Sequence, residues 1–288
     1  MMGEAIEFKS GTYLVNTAAG ILDTRTKNGI TCVWRGIVDQ SGKLNCTWEF
    51  DWDKLERQGV DKLVGRIFVK SQTSPIYGSN FDVKITEENP EIKKQLGGGY
   101  NAYNVSYECS LIPHYENPSY DEMFEPSDKN DAILVVDGKK LHVSKAFLSY
   151  HSEYFRSLFS SNFKEGQMDE IPIGEVSYED FALLLSTFYP NPVFPNDRTV
   201  ETLLEMGRRF LVSSAVSSAE HHLISNSIIE NEKMLWLADK HGMSKLLEKC
   251  VRRINTVEKA KKLKKSKEYK TLSDATKLKV YERLMNFI

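Results

Sequence analysis

Long apolar runs are missing from this chain of 288 residues. No stretch approaches the roughly 20 apolar residues that a membrane-spanning helix needs, so no membrane partner is expected. The opening MMGEAIEFKSGTYLV carries Glu4 and lacks the apolar centre of a signal peptide, and the expected residence is cytoplasmic, nuclear or both. Cysteine is scarce: Cys32, Cys46, Cys109 and Cys250 stand far apart, with no CxxC and no histidine at zinc spacing, so no metal site is expected. In a reducing compartment these thiols serve as small buried hydrophobes. Without a secretory route, Asn45-Cys46-Thr47 and Asn104-Val105-Ser106 are chance glycosylation patterns. Excess charge of one sign is also missing. A net charge of −2 exerts no general pull on nucleic acid.

Catalytic signatures are absent as well. There is no nucleophile elbow, metalloprotease helix or kinase motif. Gly97-Gly98-Gly99 lacks the flanking strand, helix and Lys-Ser/Thr pair of a phosphate loop and reads as a flexible connection. His221 and His222 are neighbours on an expected helix, point in different directions and make a poor metal pair. The expectation is a protein with no catalytic residues, no metal and no cofactor.

What is present divides into two grammars. Residues 1–112 read as β structure. Ile30–Val38 is β-branched and aromatic, the turn Asp39-Gln40-Ser41-Gly42 follows, and Leu44–Trp52 then alternates apolar with polar, together a hairpin pattern. Val64–Lys70, Phe81–Thr86 and Tyr103–Leu111 are further strands, and Asp53–Gly59 a short helical or turn insert. Short alternating strands between turns indicate an antiparallel β-sandwich. Residues 113–127 are rich in proline and acid and read as a linker.

The remainder is α+β, then all helix. Ala132–Val136 is an apolar strand ending at the turn Asp137-Gly138, and Lys140–Val143 returns beside it. Phe147, Leu148, His151, Tyr154, Phe155, Leu158 and Phe159 fall at helical spacing. Ile171-Pro172-Ile173 reads as an edge strand, because proline cannot donate to a ladder. Ser177 opens a helix over Phe181–Phe188, followed by helices at Val200–Leu211 and Ser217–Ile228. Residues 231–288 hold three or four more, with Gly242 ending one and Ser244 capping the next. The basic run Lys259–Lys270 reads as a solvated helix face, with Val257, Ala260 and Leu263 turned inward. Its alternative reading is a nuclear localisation signal.

The run from Asp131 to Leu148, with His142-x-x-Lys145 and then Ser152-x-Tyr154-Phe155-x-x-x-Phe159 in register, resembles the opening of a BTB (POZ) domain, placed here at 128–230. The order of parts resembles the nematode MATH-BTB cullin-3 adaptors. For the β half only the order, the length and the strands carrying Trp34, Trp48 and Trp52 support a MATH-like assignment, and no target-pocket residues follow from it. The ending around Lys267–Asp274 is similar to that of nematode BTB proteins.

The resemblance implies a substrate-recruiting adaptor of a cullin-3 ubiquitin ligase, without enzymatic activity of its own. It would form a homodimer, bind cullin-3, and hold an unidentified protein target on the β domain. Phe147 and Tyr150 are the implied dimer-face residues. Phe163 and Glu165 match the family's hydrophobe-x-Glu cullin motif, Phe163 as an apolar anchor and Glu165 as an acceptor that sets orientation. Asp131, His142 and Lys145 correspond to the family's charged pocket, whose simpler role is to fix the strand–helix junction. Pro190 stands where the family often continues Tyr-Thr-Gly, a departure that reshapes the following loop. The alternative is a BTB oligomerisation scaffold with no ligase role.

Overall fold

The alternating segments fold as a hairpin, β4 (Ile30–Val38) against β5 (Leu44–Phe50), with Val38 opposite Leu44. This is the central pair of one antiparallel sheet in a computed structural model that describes residues 2–18, 20–72, 78–115, 119–160, 168–190 and 192–285. The chain divides into two units, residues 1–117 and 118–288.

In the first unit β3 (Ile21–Lys27) and β8 (Glu91–Leu96) flank the hairpin, giving the order β3-β4-β5-β8. The second sheet runs β1-β9-β6-β7, from β1 (Ile6–Lys9), β9 (Tyr103–Tyr115), β6 (Val60–Ser71) and β7 (Ser79–Ile85), with β2 (Tyr13–Val15) also on β9. The inner faces of the two sheets share one apolar core. At its centre Trp34 and Trp48 stack at 6.3 Å, and Tyr107 from the facing sheet meets Trp34 edge-on at 4.9 Å. Cys32, Cys46 and Cys109 are buried and unbridged in the same core, and burial pushes each thiol pKa upward.

The turn that joins the hairpin is organised by Asp39. Its carboxylate accepts from the Ser41 hydroxyl and from the Lys43 and Ser41 amides, and these bonds hold its pKa well below the usual carboxylate range. Gly42 adopts φ +74°, and a Cβ there would lie 2.9 Å from the Gly99 nitrogen. Only a glycine at position 42 therefore lets this turn pass so close to the backbone at Gly99 and Tyr100. The helical insert is α1 (Trp52–Arg57), capped by the Asp51 side chain.

β1, β2, β3 and β8 were not expected from the alternation. All lie at sheet margins, and β3 and β8 carry largely exposed faces, so little alternation is imposed on them. The expected linker 113–127 is taken up at both ends. β9 continues to Tyr115 opposite Val60, while Tyr120 and Phe124 bury into the core of the second unit around a 3-10 turn, Asp121–Phe124.

The second unit opens with β10 (Ala132–Val136) antiparallel to β11 (Lys139–Val143), joined by Asp137 and Gly138 at φ +49° and +77°. β12 (Glu170–Ile173) adds parallel to β10 at the edge, with Pro172 turned outward. Helices α2 (Lys145–His151), α3 (Glu153–Leu158), α4 (Tyr178–Ser186), α5 (Val200–Arg209) and α6 (Ser213–Ser225) share one apolar core with this sheet. Ser177 caps α4 by accepting from the Asp180 amide at 3.1 Å, so the helix begins at Tyr178, three residues before the expected Phe181.

α7 (Asn231–His241), α8 (Ser244–Arg253), α9 (Val257–Lys265) and α10 (Asp274–Met285) follow, and their buried residues belong to the same core. Gly242 ends α7 in the left-handed region as expected. Ser244 does not cap α8. It is the first helical residue, and Met243 occupies the cap position without a side-chain bond. Among the described residues no helix is long and apolar enough to cross a membrane.

Candidate functional site

The surface around α2 is where most of the sequence-derived candidates meet. α2 starts because two side chains satisfy its first amides: Asp131 accepts from the Lys145 amide at 2.7 Å, and Ser144 accepts from that of Phe147. Asp131 also donates its own amide to the Val143 carbonyl, so it ties the strand end to the helix start. Lys145 is linked to Asp131 through its backbone, while its ammonium lies 5.9 Å from the Phe159 ring centre. His142 stands apart. On β11 it alternates with buried Leu141 and Val143 and faces a separate depression of about 350 Å3 beside Phe124 and Tyr178. There Tyr178 donates to Asp121 at 3.0 Å, and burial first, then this bond, pushes its pKa up to about 12. The three candidates for a charged pocket thus occupy two places, a helix cap and the depression.

The exposed side of α2 is aromatic. Tyr150 is 81% exposed, the most open large apolar side chain among the described residues. Beneath it His151 stacks on Phe188 at 4.6 Å, and Phe147 meets Tyr189 edge-on at 5.2 Å. Burial in this bed lowers the His151 pKa, which favours the neutral ring. Of the two dimer-face candidates, Tyr150 is free to meet a partner, whereas Phe147 is half-buried and mainly supports the bed. His151, Phe188 and Tyr189 were not singled out from the sequence. The signal was the i, i+4 spacing of Phe147 and His151, but only tertiary packing brings the end of α4 beneath them.

Ser152 sets the angle between α2 and α3. It accepts from the Phe155 amide at 3.1 Å and donates to the Phe210 carbonyl at 2.6 Å, joining α3 to the end of α5. Phe155, Phe181 and Phe210 interlock behind it. Phe163 and Glu165 lie outside the described residues, in the connection between α3 and β12. His222 is buried against Asp197 at 2.7 Å, while His221 is exposed, consistent with their different directions.

The geometry offers an open aromatic surface beside a helix start held by two side-chain caps. The BTB/POZ domain family matches residues 120–227, starting at the buried Tyr120. A BTB/POZ domain-containing protein of Caenorhabditis elegans is 36% identical over 296 residues, covering 99% of this chain and 93% of that protein. BTB and MATH domain-containing protein 38 of the same organism is 33% identical over 172 residues, 59% of this chain and 44% of that one. The solved BTB domain of human Gigaxonin matches 32% of this chain and 75% of its own, at 21% identity and a TM-score of 0.28. With its similarity to the first nematode relative running almost end to end, the chain belongs to the BTB/POZ domain-containing proteins.

Proposed function

We propose that this protein is a substrate-recruiting adaptor of a cullin-3 RING ubiquitin ligase. Its BTB unit self-associates and engages the cullin, and its β unit, read as MATH-like, holds a protein target. The chain carries out no chemistry itself; the ligase supplies it. Doubling the target sites in a dimer raises avidity. The observation that carries the reading is the joining, in one chain, of a BTB unit to a β unit with an apolar core of its own. Tyr150 supports self-association, because an exposed aromatic on a rigid bed is a typical interface anchor. Phe163 and Glu165 are the proposed cullin contacts.

The test is calorimetry of the full-length protein against a cullin-3 N-terminal fragment, with light scattering for mass. The expected result is one cullin per chain, a dimeric mass, a loss of cullin binding in Phe163→Ala/Glu165→Ala, and a loss of the dimer in Tyr150→Asp. A dimer that ignores cullin at high micromolar concentration would instead leave an oligomerisation scaffold.

A further inference from the structure

α9 and α10, with the 3-10 turn Glu268–Thr271 between them, leave an open groove of about 230 Å3. Ala260, Leu263, Tyr269, Val280 and Leu284 form its floor and are buried or half-buried. Its rim is apolar too, with Val257 46% and Tyr281 59% exposed. The sequence placed Val257 inward with Ala260 and Leu263. As the first residue of α9 it overhangs the mouth of the groove instead. Leu278, Tyr281 and Met285 recur at three- and four-residue spacing and extend the exposed apolar surface along α10. Single exposed apolar residues are ordinary, but a contiguous patch running into a groove marks a contact surface.

The charged residues that line the groove have one sign, with Glu258 acting on Lys261 from outside it. Lys261, Lys264 and Lys277 are its only charged lining residues among those described. Lys277 pairs with Asp274 at 3.5 Å, whereas Lys261 and Lys264 form no ion pair among the described residues. Residues 257–285 hold ten basic and four acidic side chains, in a chain whose net charge is −2.

We infer that this groove docks an acidic peptide segment of a partner protein: an aliphatic or aromatic side chain enters between α9 and α10, and flanking Asp or Glu carboxylates pair with Lys261 and Lys264. The concave apolar floor supplies the anchor site, and the lysines supply orientation and encounter rate. A second copy of this chain fits poorly, because a two-fold contact through this face would bring one lysine-rimmed groove up against another of the same charge. A lipid surface would use the charge and leave the concavity empty.

The test uses the full chain. A phage-displayed library of random dodecapeptides is selected on immobilised wild type, with counter-selection on Lys261→Glu/Lys264→Glu/Tyr281→Asp. The expected consensus is an apolar residue flanked by acids. A fluorescein-labelled peptide of that consensus should bind wild type with an affinity that falls as salt rises. Its affinity for the triple variant should be lower by about tenfold or more. Circular dichroism checks that the variant is folded, and the milder Lys261→Gln/Lys264→Gln should weaken binding and flatten the salt dependence. Absence of a consensus, a consensus without acids, or equal affinity for the folded variant overturns the inference. So does self-association, or co-sedimentation with phosphatidylserine vesicles, that the same variant abolishes, since the groove then serves a second copy or a membrane.

Discussion

Ser152 shows how much one small polar side chain decides. It is 2% exposed and makes both of its bonds inside the BTB unit, as cap of α3 and as donor to the Phe210 carbonyl. Removing the hydroxyl leaves a buried carbonyl and a helix amide unsatisfied. Ser152→Ala is expected to cost about 1–3 kcal/mol in urea unfolding, whereas Tyr150→Ala, at an open position, should stay within about 0.5 kcal/mol. In the sequence Ser152 was legible as part of the Ser-x-Tyr-Phe signature, though not as the tie to α5. That bond spans 58 residues, and no local pattern announces such a partner. Asp131 and His142 teach the same lesson from the other direction. Both sit in one motif, yet strand alternation turns His142 toward Tyr178 while Asp131 caps α2.

At the scale of elements, the helical extension is held by a clamp. Asp239 on α7 accepts from the Ser273 amide and from the hydroxyls of Ser273 and Thr276, each at 2.6 Å, which fixes the start of α10. Burial opposes ionisation of Asp239, but these hydrogen bonds outweigh it and hold its pKa below the usual value. The folded value thus lies below the unfolded one, near about 3.9. The stabilisation is complete above the unfolded value and is lost as pH falls through the folded one. Asp239→Asn is expected to lower stability by about 1 kcal/mol at neutral pH. Its deficit against wild type should shrink as denaturation is repeated at falling pH. A deficit independent of pH would show that the clamp acts through shape alone. The capping residues of such elements were readable where they precede the helix, as with Ser177. The clamp was not, because Ser273 and Thr276 meet their acceptor on a helix three elements earlier in the chain.

For the whole molecule, the two apolar cores predict two unfolding events. Gly65 pairs with Leu111 where β6 runs antiparallel to β9, and a Cβ there would sit 2.0 Å from the Ser110 carbonyl oxygen, so Gly65→Ala must push backbone from backbone. The expected cost is about 1–3 kcal/mol, confined to the first unit. Tryptophan fluorescence of a Trp236→Phe background, which leaves the indoles of Trp34, Trp48 and Trp52 in the first unit, should lose its transition at lower temperature, while helical circular dichroism keeps its midpoint. A joint shift would show that the units unfold as one. Much of this architecture was legible from periodicity: the hairpin around Asp39, the strand pair ending at Asp137-Gly138, and the amphipathic helices all follow from local alternation and turn chemistry. The motif from Asp131 to Phe159 also sufficed to recognise the BTB family, although the family match starts at Tyr120, ahead of the expected 128. Packing alone decided the marginal strands, the joining of Tyr120 and Phe124 to the second core, the aromatic bed under Tyr150, and the lysine-rimmed groove. These depend on which distant faces meet, and a repeat of two or 3.6 residues records only that a face is apolar, never what will cover it.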